Sequence, residues 1–286
     1  MDLSDLNIFQ AVARAGGITR AAAQLNRVQS NITTRIKQLE ADLGVDLFLR
    51  DGKQMRLSPS GQILLGYANR LQGLAQEARE AISDTEPRGL LRLGSMESTA
   101  AARLPRPLAE FHRLYPDVKL ELHTAPTLKL VNRVLEGELE AAFVAEPVSD
   151  ERLEKRVIYA EELVIVAESQ HPPIRSPHDI RNRTLLAFEP GCAYRKRLED
   201  WLQGAELLPD RIVEFTSYHA ILGCVLVGMG VAILPRAVLE LLPEKESLSV
   251  HALPPEKTKT NTVLIWRSGA KSARISAMLD VIQRQP

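Results

Sequence analysis

In the first fifth of the chain, apolar side chains recur at the spacing of one helical face. Val28, Ile32, Ile36, Leu39 and Leu43 are separated by four, four, three and four positions, which predicts a helix with one buried stripe. The positions between them carry amides, hydroxyls and a cation. Side chains of these kinds contact base edges and phosphates in a major groove.

A shorter predicted helix, Thr19 to Leu25, precedes this one across a tight break, and the pair predicts a helix-turn-helix. No acidic residue lies between Asp5 and Glu40, so the segment is basic and suits a phosphate backbone. A solvated helix hairpin is the alternative, because this spacing is short and easily imitated. We expect the following residues to contact DNA: Arg27, Gln29, Ser30, Asn31, Thr33, Thr34 and Lys37.

A β-hairpin is predicted directly after this helix. Residues 48–57 form a hydrophobic run that a turn pair interrupts, and Arg50, Lys53 and Arg56 flank it. Beside a recognition helix, such a hairpin is typical of a wing whose cations meet phosphates or a minor groove. A charged surface hairpin is the alternative.

A long helix is predicted next, because Ser58 suits an N-cap, Pro59 suits the first helical position, and no further proline occurs before Pro87. An exposed apolar seam along it needs a partner, either the rest of the chain or the same helix of a second subunit. We favour the second subunit, because the helix is isolated between domains. The predicted dimerisation residues on this seam are Leu64, Tyr67, Leu71, Leu74 and Ala78.

The stretch from Ile18 to Gly61 closely resembles the N-terminal winged helix-turn-helix of LysR-type transcriptional regulators. An Ala-Ala-x-x-Leu helix, a Leu-Glu-x-x-Leu-Gly helix end, a Leu-Phe-x-Arg wing entry and a Leu-Ser-Pro-x-Gly linker start occur in order at the family's spacing. Many relatives begin the recognition helix with a serine, where this chain has Val28. The length and layout of the remaining residues also suit the family.

The resemblance implies a homodimer or homotetramer that binds a double-stranded DNA operator and a small-molecule effector, with RNA polymerase as a further partner. It also implies an α/β fold overall: a winged helix-turn-helix, a long linker helix and a two-lobed effector domain similar to periplasmic binding proteins. The expected domains are 1–58, 59–86 and 87–286. Within the last, lobe 1 covers about 89–161 and 267–286, and lobe 2 covers about 162–266.

Composition fits a basic module joined to a neutral domain. The 286 residues are 45% hydrophobic, enough for more than one core, and the net charge is zero, which is unusual for a protein that only binds nucleic acid. With no apolar run near ~18 residues and no signal-peptide pattern, we expect a cytoplasmic protein outside the membrane. Cys192 and Cys224 lie in no metal-ligand cluster, so we expect no metal and no cofactor.

After residue 89, predicted strands and helices alternate, which predicts α/β structure with a parallel sheet. One helix is predicted from Thr99 to Tyr115. The last strand, Thr262 to Trp266, and the last helix, Ser272 to Gln283, are expected to return to lobe 1.

In open parallel sheets a ligand lies beyond the carboxyl ends of the strands, near helix N-termini. Helix capping is the alternative role for each hydroxyl there. The predicted effector-binding residues at these turns are Ser95, Glu97, Ser98, Thr99, Thr124, Thr127, Glu146, Glu189, Cys192, Tyr194 and Ser217.

The charges at these turns indicate the effector's chemistry. Glu97, Glu146 and Glu189 favour an amino group, whereas Arg195 and the helix N-termini suit a carboxylate, so we expect an amine or amino-acid-like metabolite. Cys192 precedes a predicted helix, and a lowered pKa there would suit a redox sensor. The alternative for Cys192, which we favour, is a small residue of the cleft or core.

Catalytic motifs are missing from the chain. It lacks a GxSxG elbow, a P-loop, an HExxH pair and a complete dinucleotide-binding fingerprint. We therefore predict a sequence-specific transcriptional regulator with no catalytic residues, whose DNA binding an effector modulates. The alternatives are an architectural DNA-binding protein without an effector and an α/β enzyme.

Overall fold

The computed structural model describes residues 1–51, 54–82 and 86–284. The chain divides between residues 85 and 86 into two compact units, one N-terminal and one C-terminal.

The N-terminal unit consists of three short helices, a two-stranded wing and one long helix. An Asp2 and Asp5 capping box begins the first helix, and Gly16 ends it in the left-handed conformation, with φ 64°. The elements are α1 (Leu3–Ala15), α2 (Ile18–Gln24), α3 (Gln29–Leu43), β1 (Phe48–Asp51), β2 (Gln54–Leu57) and α4 (Pro59–Ile82).

The predicted apolar stripe of α3 is confirmed in its middle and wrong at both ends. Ile32, Ile36 and Leu39 are buried in the core of the unit. Val28 is 69% exposed and Leu43 is 38% exposed. Val28 precedes the helix in extended backbone and Leu43 is its last residue, so both lie at the ends of the stripe, beyond the part that the core covers.

The wing and the long helix start as the sequence predicts. β1 and β2 pair antiparallel, and the Glu40 carboxylate accepts the backbone N–H groups of Leu47 (2.8 Å) and Phe48 (3.3 Å), which attaches the wing to α3. The Ser58 hydroxyl accepts the N–H of Gly61 at 2.9 Å. The predicted N-cap of α4 is therefore confirmed.

The C-terminal unit alternates strands and helices. Its elements in chain order are β3 (Gly89–Ser95), α5 (Glu97–Ala102), α6 (Pro105–Leu114), β4 (Val118–Thr124), α7 (Thr127–Leu135), β5 (Ala141–Ala145), β6 (Leu153–Glu168), β7 (Thr184–Ala187), α8 (Ala193–Gln203), β8 (Arg211–Glu214), α9 (Tyr218–Leu226), β9 (Ala232–Pro235), α10 (Arg236–Leu239), β10 (Leu248–Ala252), α11 (Pro255–Thr258), β11 (Lys259–Arg267) and α12 (Ala273–Gln283). Two 3₁₀ turns, Pro177–Asp179 and Lys245–Ser247, complete it.

The sheets of this unit are mixed, so the prediction of a parallel sheet holds only in part. Among the described residues, seven strands form one sheet in the order β10-β6-β11-β5-β3-β4, with β9 also paired to β6. β3 runs parallel to β4 and β5, and β7 runs parallel to β8. The pairs that β6 and β11 form are antiparallel.

Two long strands connect two lobes. Residues 153–162 of β6 pair with β11, whereas residues 163–168 pair with β9 and β10. We use "lobe 1" for β3, β4, β5, α6, α7, α12 and the strand segments paired with them, and "lobe 2" for β7–β10, α8–α10 and the end of β6. β11 and α12 return to lobe 1, as the sequence predicts, whereas the expected lobe 2 range of about 162–266 is wrong at its end because it includes β11.

The single helix predicted from Thr99 to Tyr115 is wrong, because the structure has two helices, α5 and α6, with a break at Arg103 and Leu104. Pro105 explains the break: proline has no N–H to donate to a carbonyl of the preceding turn, and it takes the first position of α6, where that N–H is not needed. The break leaves Arg103 free to form a bidentate ion pair with Glu161 of β6, at 3.0 and 2.9 Å.

Candidate functional site

The first candidate site is the outer face of α3. Gln29, Ser30, Asn31, Thr34 and Lys37 are exposed. The first turn of α3 contains no acidic residue and no side chain caps it. Its N–H groups and polar side chains form a surface suited to an anionic, hydrogen-bonding partner.

Some side chains on or near this face already bond within the protein, and the others are available to bond a partner. The half-buried Thr33 donates its hydroxyl to the carbonyl of Gln29 at 2.9 Å, so it is bonded within the helix. Arg27 is exposed and lies 3.4 Å from the Asn31 side-chain oxygen. Arg35 pairs with Asp5 at 2.7 Å, so this cation is held against the start of α1.

The structure describes two of the three cations that are predicted to contact DNA from the wing. Arg56 is exposed on β2 and lies opposite Leu49, and Arg50 lies opposite Met55 in the ladder. The predicted contact Lys53 lies outside the described residues.

The predicted dimerisation seam lies on the uncovered side of α4. Tyr67, Leu71 and Leu74 are 56%, 41% and 61% exposed, and Ala78 is exposed as well. Leu64 is half-buried against the core of the N-terminal unit. Four of the five predicted seam residues therefore present apolar surface to solvent within this chain, and Leu64 packs on its own unit.

The second candidate site is a cavity of about 150 Å³ in the C-terminal unit, beyond the ends of strands from both lobes. Beside it the lobes touch: the N–H of Leu128 donates to the carbonyl of Gly191 at 3.2 Å. Gly191 has φ 95°, and a Cβ there would lie 3.1 Å from the Leu128 Cβ, so this close approach requires glycine. The cavity is lined by Met96, Glu97, Ser98, Thr124, Ala125, Pro126, Thr127, Phe188, Glu189, Cys192, Tyr194, Phe215, Thr216 and Tyr218.

The structure brings most of the predicted effector residues together at this cavity. They come from the three strand-to-helix turns after β3, β4 and β7, because parallel strands end at one edge of a sheet. The predicted residues in the lining are Glu97, Ser98, Thr124, Thr127, Glu189, Cys192 and Tyr194.

Four predicted residues lie outside the lining, and their contacts explain why. Ser95 is fully buried and donates its hydroxyl to the carbonyl of Met96 at 2.9 Å. Thr99 is 2% exposed and lies one position further around α5 than Ser98. Ser217 caps α9 by accepting the N–H of His219 at 3.1 Å. For Ser217, helix capping is the role that the structure shows.

Glu146 also lies outside the lining, in a polar cluster where the lobes join. Its carboxylate accepts the Asn261 amide at 2.9 Å and pairs with Lys155 at 3.4 Å. Arg195, considered for a carboxylate ligand, pairs instead with Glu199 and Glu214, each at 2.8 Å. Both charges are therefore occupied by structural partners.

Glu97 is the half-buried charge of the cavity. Burial raises the pKa of Glu97 above its ordinary value, and a hydrogen bond from the Tyr218 N–H and the nearby His219 oppose that rise. Its Oε2 atom is buried without a hydrogen-bond partner among the described residues. The carboxylate thus has unused capacity for a donor inside the cavity.

Buried hydroxyls lie beside this carboxylate. Ser98 and Tyr194, 4% and 2% exposed, line the cavity, and Thr262 on β11 is fully buried. Ser98 and Thr262 adjoin the Tyr194 hydroxyl, but none of the three makes a hydrogen bond of ordinary geometry to a described residue. Burial raises the pKa of Tyr194, so its phenol keeps its proton and can donate to a ligand.

The sequence reasoning missed the aromatic walls. Phe188, Phe215 and Tyr218 line the cavity, and the rings of Phe188 and Tyr218 meet edge to face with centroids 4.8 Å apart. Phe188 directly follows β7 and Phe215 directly follows β8, so the strand-end rule applies to them as well. The search for polar residues passed over them, and also over Met96, Ala125, Pro126 and Thr216.

The structure contradicts a lowered pKa for Cys192. The residue precedes α8, as predicted, but burial raises the pKa of its thiol despite the N–H groups of Tyr194 and Arg195. Thiolate formation is therefore disfavoured, and the interpretation as a small cleft residue is the one the cavity supports.

Within residues 1–51, 54–82 and 86–284, no helix is long and apolar enough to span a membrane. In the same part of the chain, no three His, Cys, Asp or Glu side chains form a group that could hold a metal ion.

Family models match both parts of the chain. Residues 3–62 match the bacterial regulatory helix-turn-helix protein model of the lysR family, and residues 84–286 match the LysR substrate binding domain. A curated relative, the HTH-type transcriptional regulator GltR of Bacillus subtilis (strain 168), is 38% identical over 289 aligned positions, which cover 99% of this chain and 98% of GltR.

Solved structures share the fold. A full-length OxyR variant from Pseudomonas aeruginosa superposes with a TM-score of 0.78 at 23% identity, covering 99% of this chain and 95% of that one. Full-length CbnR in complex with its target DNA gives 0.66 at 22% identity and covers all of both chains. Together with the family models, these likenesses confirm the predicted fold and family. The chain belongs to the LysR family of bacterial regulatory helix-turn-helix proteins: it is a DNA-binding transcriptional regulator with a C-terminal substrate-binding domain.

Proposed function

We propose that this regulator senses a small organic cation, an amine or an amino-acid-like metabolite, in the cavity of its C-terminal unit. The observation that carries the proposal is the charge of the lining: Glu97 and Glu189 are acidic, and no lining residue in the described part of the chain is basic. A half-buried carboxylate without a full set of hydrogen bonds favours an ammonium group, because a charge-assisted hydrogen bond is stronger than a neutral one.

The aromatic walls support the same ligand class. Phe188, Phe215 and Tyr218 line the cavity, and a cation over an aromatic face gains about 0.5–2 kcal/mol, the larger value when it is desolvated. A carboxylate on the same ligand would find N–H groups at the starts of α7 and α8, which begin beside the cavity. An amino-acid-like ligand fits both groups.

A thermal-shift screen with matched compounds tests this proposal. We expect primary amines and amino acids to raise Tm, because a ligand that binds only the folded state stabilises it. Their hydroxy analogues, in which a hydroxyl replaces the ammonium group, keep nearly the same size and shape but lose the charge, and we expect them to leave Tm unchanged. Stabilisation by the hydroxy analogues alone, or by simple carboxylates alone, would contradict a cation site.

We further propose that α3 is the major-groove helix. Gln29, Ser30, Asn31, Thr34 and Lys37 form its exposed face, with Arg27 beside them. We propose Arg50, Lys53 and Arg56 as phosphate contacts, of which Lys53 lies outside the described residues. An amide such as Gln29 can bond a base edge bidentately, whereas a lysine reaches phosphates. Thr33, whose hydroxyl bonds within the helix, contributes less.

Two substitutions test the assignment of α3. Gln29→Ala should lower affinity for a matched operator by about 1–3 kcal/mol and relax base preference, and Lys37→Ala should weaken all sequences alike and flatten the salt dependence. Lys119→Ala, at an exposed position of the C-terminal unit, is the matched control. If Gln29→Ala and Lys37→Ala bind like the control, α3 does not enter the groove.

For assembly, we propose a homodimer or homotetramer joined through the α4 seam, because its apolar side chains are exposed in one chain. Effector closure of the lobes would then change the spacing of the paired winged helices, with a coupling of about 1–3 kcal/mol. In this proposal residues 1–58 bind DNA, residues 59–86 join the subunits and residues 87–286 bind the effector.

The remaining assignments follow from the family. We propose that the protein is not an enzyme, since its curated relatives are transcriptional regulators. We also propose that it acts in the cytoplasm, where bacterial DNA lies, and that RNA polymerase is a partner once it is bound at an operator.

A further inference from the structure

Val28 is an apolar side chain at the polar end of α3. Its 69% exposure is the largest for a large apolar residue in the described part of the N-terminal unit. Its carbonyl accepts the N–H of Asn31 at 3.1 Å, so Val28 occupies the N-cap. Valine has no oxygen to bond the first turn, and no side-chain cap forms. The position therefore contributes neither burial nor capping to the fold.

The neighbours of Val28 suit contacts with DNA bases. Arg27 precedes it, Gln29 and Ser30 follow it, and all three are exposed. In a helix-turn-helix the N-terminal residues of the second helix contact base edges. Among the groups that base pairs present in the major groove, the C5 methyl of thymine is the apolar one.

We propose that Val28 contacts a thymine methyl group in the operator and makes that base pair a determinant of specificity; this inference rests on the proposed role of α3 in the major groove. The contact removes the valine methyls and the thymine methyl from water together, a favourable burial that no hydrogen-bonding neighbour can provide. Gln29 and Ser30 meet polar edges of adjacent base pairs.

Uracil isolates the proposed contact, because it differs from thymine only by the missing C5 methyl and keeps the hydrogen-bonding groups. An operator obtained by in vitro selection from random duplexes is resynthesised with single thymine-to-uracil replacements. We expect at least one position in each half-site to lose about fourfold in affinity, the equivalent of about 0.8 kcal/mol for one buried methyl at 1.36 kcal/mol per tenfold.

The variant Val28→Ser removes both valine methyls and introduces a capping hydroxyl. We expect its affinities for the thymine and uracil duplexes to be equal at the sensitive position. Their ratio within one protein does not depend on the folded fraction, so a change in stability does not affect it. Val45→Ser, at a 43% exposed valine after α3, is the matched control and should keep the fourfold ratio.

A ratio that persists in Val28→Ser would overturn the proposal, as would an operator in which no thymine methyl matters to the wild type. These outcomes differ from a failure of α3 itself. If α3 does not enter the groove, Gln29→Ala and Lys37→Ala are silent too, whereas a wrong assignment of Val28 alone leaves their effects intact.

Discussion

The substitution Glu97→Gln should move stability and ligand affinity in opposite directions. Glu97 is a half-buried carboxylate with one oxygen that has no partner among the described residues. Glutamine keeps the shape and one acceptor but removes the charge. The unliganded protein should therefore become more stable, while the site loses its partner for an ammonium group.

The magnitudes follow from burial. An unsatisfied buried acceptor lowers the free energy of unfolding by about 1–3 kcal/mol. Because Glu97 is only half-buried, we expect Glu97→Gln to raise it by about 1 kcal/mol, which corresponds to a rise of about 2–4 °C in Tm for a unit of this size. The raised pKa of Glu97 gives the pH dependence. Its charge destabilises the fold once the pH is above the ordinary value of 4.5, so the gain in Glu97→Gln should appear at neutral pH and vanish below that value.

Ligand binding should change by more than stability does. A hydrogen bond to a charged group contributes about 1.5–3 kcal/mol, which predicts a loss of about 10- to 150-fold in amine affinity for Glu97→Gln. Calorimetric titration with an amine from the thermal-shift screen measures the affinity, and thermal unfolding from acid to neutral pH measures the stability.

Glu162→Gln is the matched control for both measurements. Glu162 is an exposed glutamate of β6 paired with Arg236 at 2.8 Å, outside the cavity lining. If Glu97→Gln lowers stability and affinity together, the residue supports the fold and the ligand argument is wrong. If it leaves amine affinity unchanged, the cation binds elsewhere.

Three further predictions concern packing, pH and assembly. Glu161→Gln removes the charge that pairs with Arg103; the pair is partly buried, so urea unfolding should show a loss of about 2 kcal/mol, and an unchanged midpoint would contradict it. His251 accepts the Ile174 N–H at 3.1 Å, and burial lowers the pKa of His251 below 6.5. The contribution of neutral His251 to the free energy of unfolding should therefore be fully present above pH 6.5 and be lost as the pH falls through the lowered pKa. Thermal unfolding of His251→Gln should show a weaker dependence on pH over this range. Leu71→Asp places a charge on the α4 seam, and sedimentation should then show smaller species unless the seam is not an interface.

Local signals predicted the N-terminal unit well because they depend on neighbouring residues. The Ser58 cap needs only the sequence around it, and the hydroxyl does bond the N–H of Gly61. Ile32, Ile36 and Leu39 follow helical periodicity and are buried. Periodicity alone does not show where a core ends, so it assigned the exposed Val28 to the buried stripe.

Local sequence signals do not predict which side chains reach the cavity. The strand-end rule identified the turns but not the rotation of each side chain. Ser98 and Thr99 are adjacent on α5, about 100° apart around the axis, and only Ser98 reaches the cavity. Glu146 follows a strand as predicted, yet tertiary contacts with Lys155 and Asn261 hold it where the lobes join.

The first half of β6, which pairs with β11, carries no strand signal of its own. Residues 153–160 are mostly exposed and carry three charged residues in succession, Glu154, Lys155 and Arg156, so they lack the apolar run that marks a buried strand. Pairing with β11 over this stretch defines the strand, and no local signal reports such a partner.

The central claim is that a cation bound in the cavity changes how the protein binds DNA. The most direct test measures operator affinity with and without a saturating amine, in the wild type and in Glu97→Gln. We expect the amine to shift wild-type affinity by about 5- to 150-fold and to have no effect at the same concentration on Glu97→Gln. Equal shifts in both proteins, or an amine that raises the wild-type Tm without changing operator affinity, would contradict the account.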